Sequence, residues 1–182
     1  MERAEEFLKP GTAVLVIDML NDFVLEGAPL QVPGARELAE RIAPFLEKAR
    51  ERGVPVIYVC DHHDPDDAEF KRWPKHCVKG TPGAKVVDVL APKFDRGDRC
   101  VPKKRYSAFF GTSLDLLLRE LGVRTLVLTG LLTDVCVLFT AVDAGQMGYE
   151  VVVPRDLTIA LSEEDKNWAL RQMERLVGAK VV

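Results

Sequence analysis

Four kinds of side chain in this 182-residue chain have the types and spacing to do chemistry together: a thiol, a carboxylate, an amine and a group of imidazoles. Cys136 closes the run Gly130-Leu131-Leu132-Thr133-Asp134-Val135-Cys136, a turn leading into a helix. That places the thiol in a first helical turn, where unpaired N–H groups and the helix dipole favour an anion. A helix N-terminus and a nearby ammonium are both expected to lower the Cys136 pKa toward the thiolate. The same N–H groups suit an oxyanion. Asp18 ends an apolar run and is placed to take the thiol's proton and return it to a leaving amine. Lys103 and Lys104 follow a third extended stretch and offer an ammonium to both. All three histidines, His62, His63 and His76, fall in the segment 61–76 with several carboxylates. Carboxylate and imidazole together suit zinc, iron or manganese. Asp61 and His63 alternate by two, so an extended backbone points both the same way. His76 and Glu69 return from the loop that follows.

The elements that must position these groups read as alternating strands and helices. Apolar runs at 12–18, 54–60, 99–102, 125–129, 150–154 and 179–182 are strand-sized. Helical spacing marks 35–52, with Leu38, Ile42, Phe45 and Ala49 on one face and Gly53 as C-cap. Further helices are expected at 113–121, 134–147 and 163–177, the first with Thr112 or Ser113 as N-cap. Such alternation implies a parallel sheet covered on both faces, with ligands bound outside the carboxyl ends of its strands. Asp18, Asp61 with His63, Lys103 and the Cys136 turn all follow strand ends, so they are expected at one sheet edge.

Composition narrows the function classes. The apolar share of 47% and charged share of 29% are those of a globular protein, and 182 residues read as one domain, 1–182. A net charge of −3 leaves no basic footprint for nucleic acid. The acidic start MERAEEFLKPG does not read as a secretory signal, and no apolar run is long enough to span a membrane, so a cytoplasmic location is expected. The four cysteines form no CxxC pair, and no disulfide framework is expected.

Five segments together resemble the isochorismatase-like cysteine hydrolases, and among them the nicotinamidases: AVLVIDMLNDF (13–23), DHH (61–63), WPKHCVKGTPGA (73–84), KKRYSAFFGT (103–112) and GLLTDVCVLFTAVDA (130–144). The resemblance implies a three-layer α/β/α fold with a mostly parallel six-stranded sheet of Rossmann-like topology. It implies a triad at Asp18, Lys103 and Cys136, with Lys103 chosen over Lys104 by its distance from Arg105. It implies a divalent metal, zinc foremost, on Asp61, His63 and His76, with Glu69 as a further ligand in some members. Phe23, Trp73 and Tyr106 would flank the substrate, and a cis peptide would fall at Leu132–Thr133, aiming oxyanion donors. The implied activity is hydrolysis of nicotinamide to nicotinate and ammonia through a Cys136 thioester, in a dimer or tetramer. Three positions depart from the common pattern: Leu20 replaces a glutamine, His62 a tryptophan and Leu132 a small residue. The first and last are expected to reshape the pocket. The rival readings are a relative acting on an N-carbamoyl or ureido compound, and a non-catalytic binding module stabilised by a metal.

Overall fold

In the computed structural model, which describes residues 2–182, the strands are β1 (Thr12–Ile17), β2 (Val56–Asp61), β3 (Arg99–Lys103), β4 (Thr125–Leu131), β5 (Glu150–Val153), β6 (Thr158–Ile159) and β7 (Lys180–Val181). The helices are α1 (Glu2–Glu5), α2 (Asn21–Val24), α3 (Ala35–Glu51), α4 (Leu114–Glu120), α5 (Leu138–Gln146) and α6 (Glu163–Val177). All strand pairings are parallel, in the order β3-β2-β1-β4-β5-β7, with β6 against the end of β4. The sheet thus has seven strands where six apolar runs were legible. The added one, β6, is two residues long, too short to show any periodicity. Among the described residues, no helix is long and apolar enough to cross a membrane.

Alternation along the central strands builds two separate cores. In β1, Val14 and Val16 face α3, together with Tyr58, Val127 and Val152. Ala13, Leu15 and Ile17 face the other way, against Leu118 of α4, Ala141 of α5 and Met173 of α6. Every residue of β1, β2 and β4 is buried. These strands need both faces apolar because helices cover both, hence the unbroken hydrophobic runs. Helix boundaries follow local chemistry. The Ser162 side chain accepts from the Asp165 N–H at the start of α6, and Gly178 at φ 65° ends it. Gly53, at φ 67°, closes α3 in the same way.

The sheet's winding reverses at β1, which pairs with β2 on one side and β4 on the other. A crevice opens at such a switch point, beyond the carboxyl ends of the strands. The two central strands approach closely there because Gly130, at φ +106°, lies against Ile17. A Cβ on Gly130 would sit 2.0 Å from the Ile17 carbonyl oxygen. Gly130→Ala must therefore both strain φ and part the two strands. We expect it to lower stability by about 3–5 kcal/mol, read as a shift of the urea midpoint at unchanged slope.

Candidate active site

Four strand ends deliver the predicted groups to this crevice. Asp18 follows β1 directly, and its backbone sits in the left-handed region at φ 53°. Such a backbone is uncommon for a residue with a side chain. The turn is held by the Leu20 N–H donating to the Asp18 carbonyl at 2.8 Å. Asp61 ends β2 and Lys103 ends β3, and the two are register partners. Beyond β4, Thr133–Val137 form a π-helical turn that runs into α5 and carries Cys136.

Lys103 is the hub. Its side chain is fully buried, with Nζ 2.8 Å from Asp18 Oδ2, 2.5 Å from Asp61 Oδ1 and 3.6 Å from Cys136 Sγ. Asp18 Oδ1 accepts the Asp61 N–H at 2.9 Å. Lys104, one residue on, is exposed and pairs with Asp64. Burial would lower the Lys103 pKa, but the charges of Asp18 and Asp61 outweigh it and keep the ammonium charged. Burial would raise Asp61, yet Lys103 and the two histidines hold it well below the usual carboxylate range. Asp18 is pushed up to about 6, first by burial and then by the charge of Asp61, against the pull of Lys103.

The thiol corrects an expectation. Burial raises the Cys136 pKa well above its ordinary value, and Asp18 and Asp61 add to that effect, so Lys103 does not win. The resting group is a thiol beside a base, not a preformed thiolate. A second correction concerns the cis peptide, which joins Leu131 to Leu132, not Leu132 to Thr133. The Leu132 carbonyl already belongs to the helical turn, accepting the Val135 and Val137 N–H groups at 3.1 Å each.

Asp61, His63 and His76 each offer a ligand atom within 4.8 Å of the others, and all three are buried. His63 Nε2 lies 3.6 Å, and His76 Nε2 3.7 Å, from Asp61 Oδ2. His63 Nε2 is fully buried and has no hydrogen-bond partner. Two imidazole nitrogens and a carboxylate oxygen converging on one point, one of them orphaned, fit a zinc-type ion. Glu69 does not join this set. It is grouped with His63 and Asp67, and the Arg105 guanidinium lies 3.5 Å from its carboxylate. Asp67, which the sequence did not single out among its neighbouring aspartates, is 3.1 Å from His63 Nδ1. Asp61 serves both halves of the site, with Oδ1 on Lys103 and Oδ2 facing the histidines.

A cleft of about 400 Å³ opens onto Asp18, Asp61, His76 and Cys136. Phe23, Trp73 and Tyr106 line it as expected, and Trp73 Nε1–H donates to Tyr106 Oη at 3.1 Å. Leu131 and Val135 line it from the motif that carries Cys136, whereas Leu30, Val32 and Leu161 were not foreseen, because they lie on connections with no pattern pointing to the site. Of the three departures, only Leu132 touches the cleft. Leu20 is buried in the core, bridged to Val86, and His62 lines a different depression beside Lys104. Among the described residues, the lining of the main cleft includes carboxylates but no lysine or arginine.

A parallel α/β sheet with a buried thiol, carboxylate and ammonium at its switch point is an arrangement capable of acyl transfer. Residues 12–182 match the isochorismatase domain, and the chain belongs to the isochorismatase family. It is 38% identical to a probable inactive nicotinamidase of Arabidopsis thaliana, over 84% of this chain and 83% of that one. It is 36% identical to the ureidoacrylate amidohydrolase RutB of Agrobacterium fabrum, over 83% and 77% of the two chains. Among solved structures, the pyrazinamidase/nicotinamidase of Streptococcus mutans superposes with a TM-score of 0.89 at 36% identity, covering 94% of this chain and 99% of that one. N-carbamoylsarcosine amidase from Thermoplasma acidophilum gives 0.84 at 37%, covering 93% and 94%. Pyrazinamidase of Pyrococcus horikoshii, in complex with zinc, gives 0.87 at 33%, covering 95% and 99%.

Proposed function

We propose that this protein is a metal-containing cysteine amidohydrolase that converts nicotinamide to nicotinate and ammonia. The observation that carries this reading is a shared cleft. It is lined by Asp18 and Cys136 of the nucleophilic group and by Asp61 and His76 of the donor set, with Lys103 and His63 in contact distance behind them and largely apolar walls around them. A flat, uncharged carboxamide with a ring nitrogen suits such a space.

Asp18 takes the Cys136 proton as the sulfur attacks the carboxamide carbon, and Lys103 balances the charge. A base pushed up to about 6 is well matched to a reaction near neutral pH. N–H groups of the turn at Thr133 and Cys136 hold the oxyanion, with Leu132 fixing the start of that turn. Asp18 then gives its proton to the leaving nitrogen and ammonia departs. It next takes a proton from water, whose oxygen attacks the thioester; as the C–S bond breaks Asp18 returns that proton to the Cys136 sulfur, and the acid departs. Phe23, Trp73 and Tyr106 flank the ring. The metal, zinc or alternatively iron or manganese, would be held by Asp61, His63 and His76 and would supply a coordination point for the ring nitrogen.

A second reading has support from the relatives that act on N-carbamoylsarcosine and ureidoacrylate. Those substrates carry a carboxylate, for which the cleft walls offer no lysine or arginine side chain as a partner. A non-catalytic metal-stabilised module is the third, and it gives no reason for a base beside the thiol. Ammonia release from nicotinamide, N-carbamoylsarcosine and ureidoacrylate, assayed side by side, separates the first two. Release only from the carbamoyl or ureido compound would overturn the nicotinamidase reading, and release from none would favour the module. Stripping the metal with a chelator is expected to lower nicotinamide turnover about 100-fold, with recovery on adding zinc, manganese or ferrous iron back. Unchanged turnover in a metal-free sample, verified by elemental analysis, would remove the metal from the reaction.

A further inference from the structure

Asp67 belongs to neither the nucleophilic group nor the three converging donors, yet it touches one of them. The His63 ring has a nitrogen on each side. Nδ1 is 3.1 Å from Asp67 Oδ2, and Nε2 is 3.6 Å from Asp61 Oδ2. From this geometry we infer that Asp67 is a positioning residue. It accepts the Nδ1–H of His63, so that the lone pair of the neutral ring is left on Nε2, aimed at Asp61 and His76. The inference rests on the metal reading given above, because a bare Nε2 is what a metal requires.

An ionised carboxylate only accepts hydrogen bonds, and of the two carboxylates facing the ring only Asp67 is within hydrogen-bond distance, so Nδ1 is the nitrogen that carries hydrogen. His76 reaches the same state differently, with Nδ1 2.7 Å from the Pro74 carbonyl oxygen. Of the two acceptors, only Asp67 is a side chain and open to substitution. Asp67 is itself held in place. Its Oδ1 accepts from the Glu69 N–H at 2.9 Å and from Arg105 Nη1 at 3.0 Å. Arg105 also approaches Glu69 Oε2 at 3.5 Å. The His63–Asp67–Glu69 group, which by composition could itself take a metal, therefore already holds a guanidinium as its cation. Arg105 stands two residues beyond Lys103, so the end of β3 places the buried ammonium and, through Arg105 and Asp67, the orientation of His63.

The competing role for Asp67 is structural, as N-cap of the short helical turn Ala68–Lys71. Two variants separate the roles. Asp67→Ser keeps a capping oxygen for the Glu69 N–H but is too short to reach His63. Asp67→Asn keeps an acceptor at the right length. Long-range proton–nitrogen spectra of the metal-free protein, at a pH where the ring is neutral, report the His63 tautomer. Zinc affinity is read by competition with a chelating dye. We expect Nδ1–H in the wild type and in Asp67→Asn. In Asp67→Ser we expect a mixture of tautomers, with zinc affinity roughly 10- to 100-fold weaker and an unchanged unfolding midpoint. Retention of Nδ1–H and of wild-type zinc affinity in Asp67→Ser would overturn the inference. Failure of the wild type to bind zinc would overturn the metal reading instead, and the tautomer spectra would still decide the role of Asp67.

Discussion

Replacing Cys136 by alanine is expected to reduce ammonia release from nicotinamide by about 10⁴-fold or more. The size follows from the chemistry assigned to the sulfur. It forms the bond to the carbonyl carbon, and no other thiol is placed to substitute. Cys60 and Cys77 are buried outside the cleft lining, and Cys100 is exposed on the edge strand β3. Cys136→Ser should lose almost as much, because a hydroxyl is far more basic than a thiol when ionised. A base pushed up to about 6 removes its proton poorly. Neither change should disturb folding, since both replacements are no larger than cysteine at a position that borders open space. The check has two parts. Turnover is compared at matched unfolding midpoints, and rapidly quenched wild-type enzyme is examined by mass spectrometry for a nicotinoyl adduct on the peptide holding Cys136. Activity within tenfold of wild type in Cys136→Ala would remove the thiol from the mechanism.

Lys103→Met should damage stability and activity together. The substitution keeps most of the side-chain volume and removes the cation that touches both Asp18 and Asp61. Breaking a buried pair by deleting one partner costs about 3–5 kcal/mol, because the partner charge remains without compensation. The variant will shed part of that cost by protonating a carboxylate. Asp18, already pushed up to about 6, is the group that takes the proton. A protonated Asp18 cannot accept the thiol proton, so turnover at neutral pH should fall about 10²- to 10⁴-fold. The pH dependence has a definite sign. The folded-state pKa of Asp18 in the variant lies above its unfolded value of about 3.9. Between those two values the native state binds more protons than the unfolded state, so stability falls as pH rises. The deficit against wild type should therefore narrow when urea titrations are moved from neutral toward pH ~5. A deficit that widens on acidification would show that Lys103 does not govern the Asp18 carboxyl.

These effects could be anticipated from the sequence only in part. The central strands β1, β2 and β4 were readable because a sheet covered on both faces requires unbroken apolar runs. Helix α6 was readable to both ends, Glu163 and Val177, because Ser162 and Gly178 mark them locally. Strand β6 was not readable, since two residues make no pattern. The convergence of Asp18, Lys103 and Cys136 followed from their places after strand ends. The protonation state of Cys136 did not, because it depends on burial and on summed charge from three other segments. Asp67 was hidden for a related reason. Asp64, Asp66 and Asp67 look alike in the loop, and only the folded path shows which one meets His63. The cleft walls contributed by Leu30, Val32 and Leu161 were invisible because their connections carry no period at all.

Asp61 has a consequence for how such a protein can change over generations. One of its oxygens contacts the ammonium beside the thiol, and the other faces the two imidazoles. On the proposed reading, the bond-breaking half and the substrate-orienting half of the cleft are therefore not separable parts. A lineage could trade away His63 or His76 and keep a working thiol, but a change at Asp61 strikes both halves in one step. Substitutions at Asp61 should combine non-additively with those at Lys103 and at His76 alike. On the proposed reading, loss of the metal is easier through the histidines than through the aspartate.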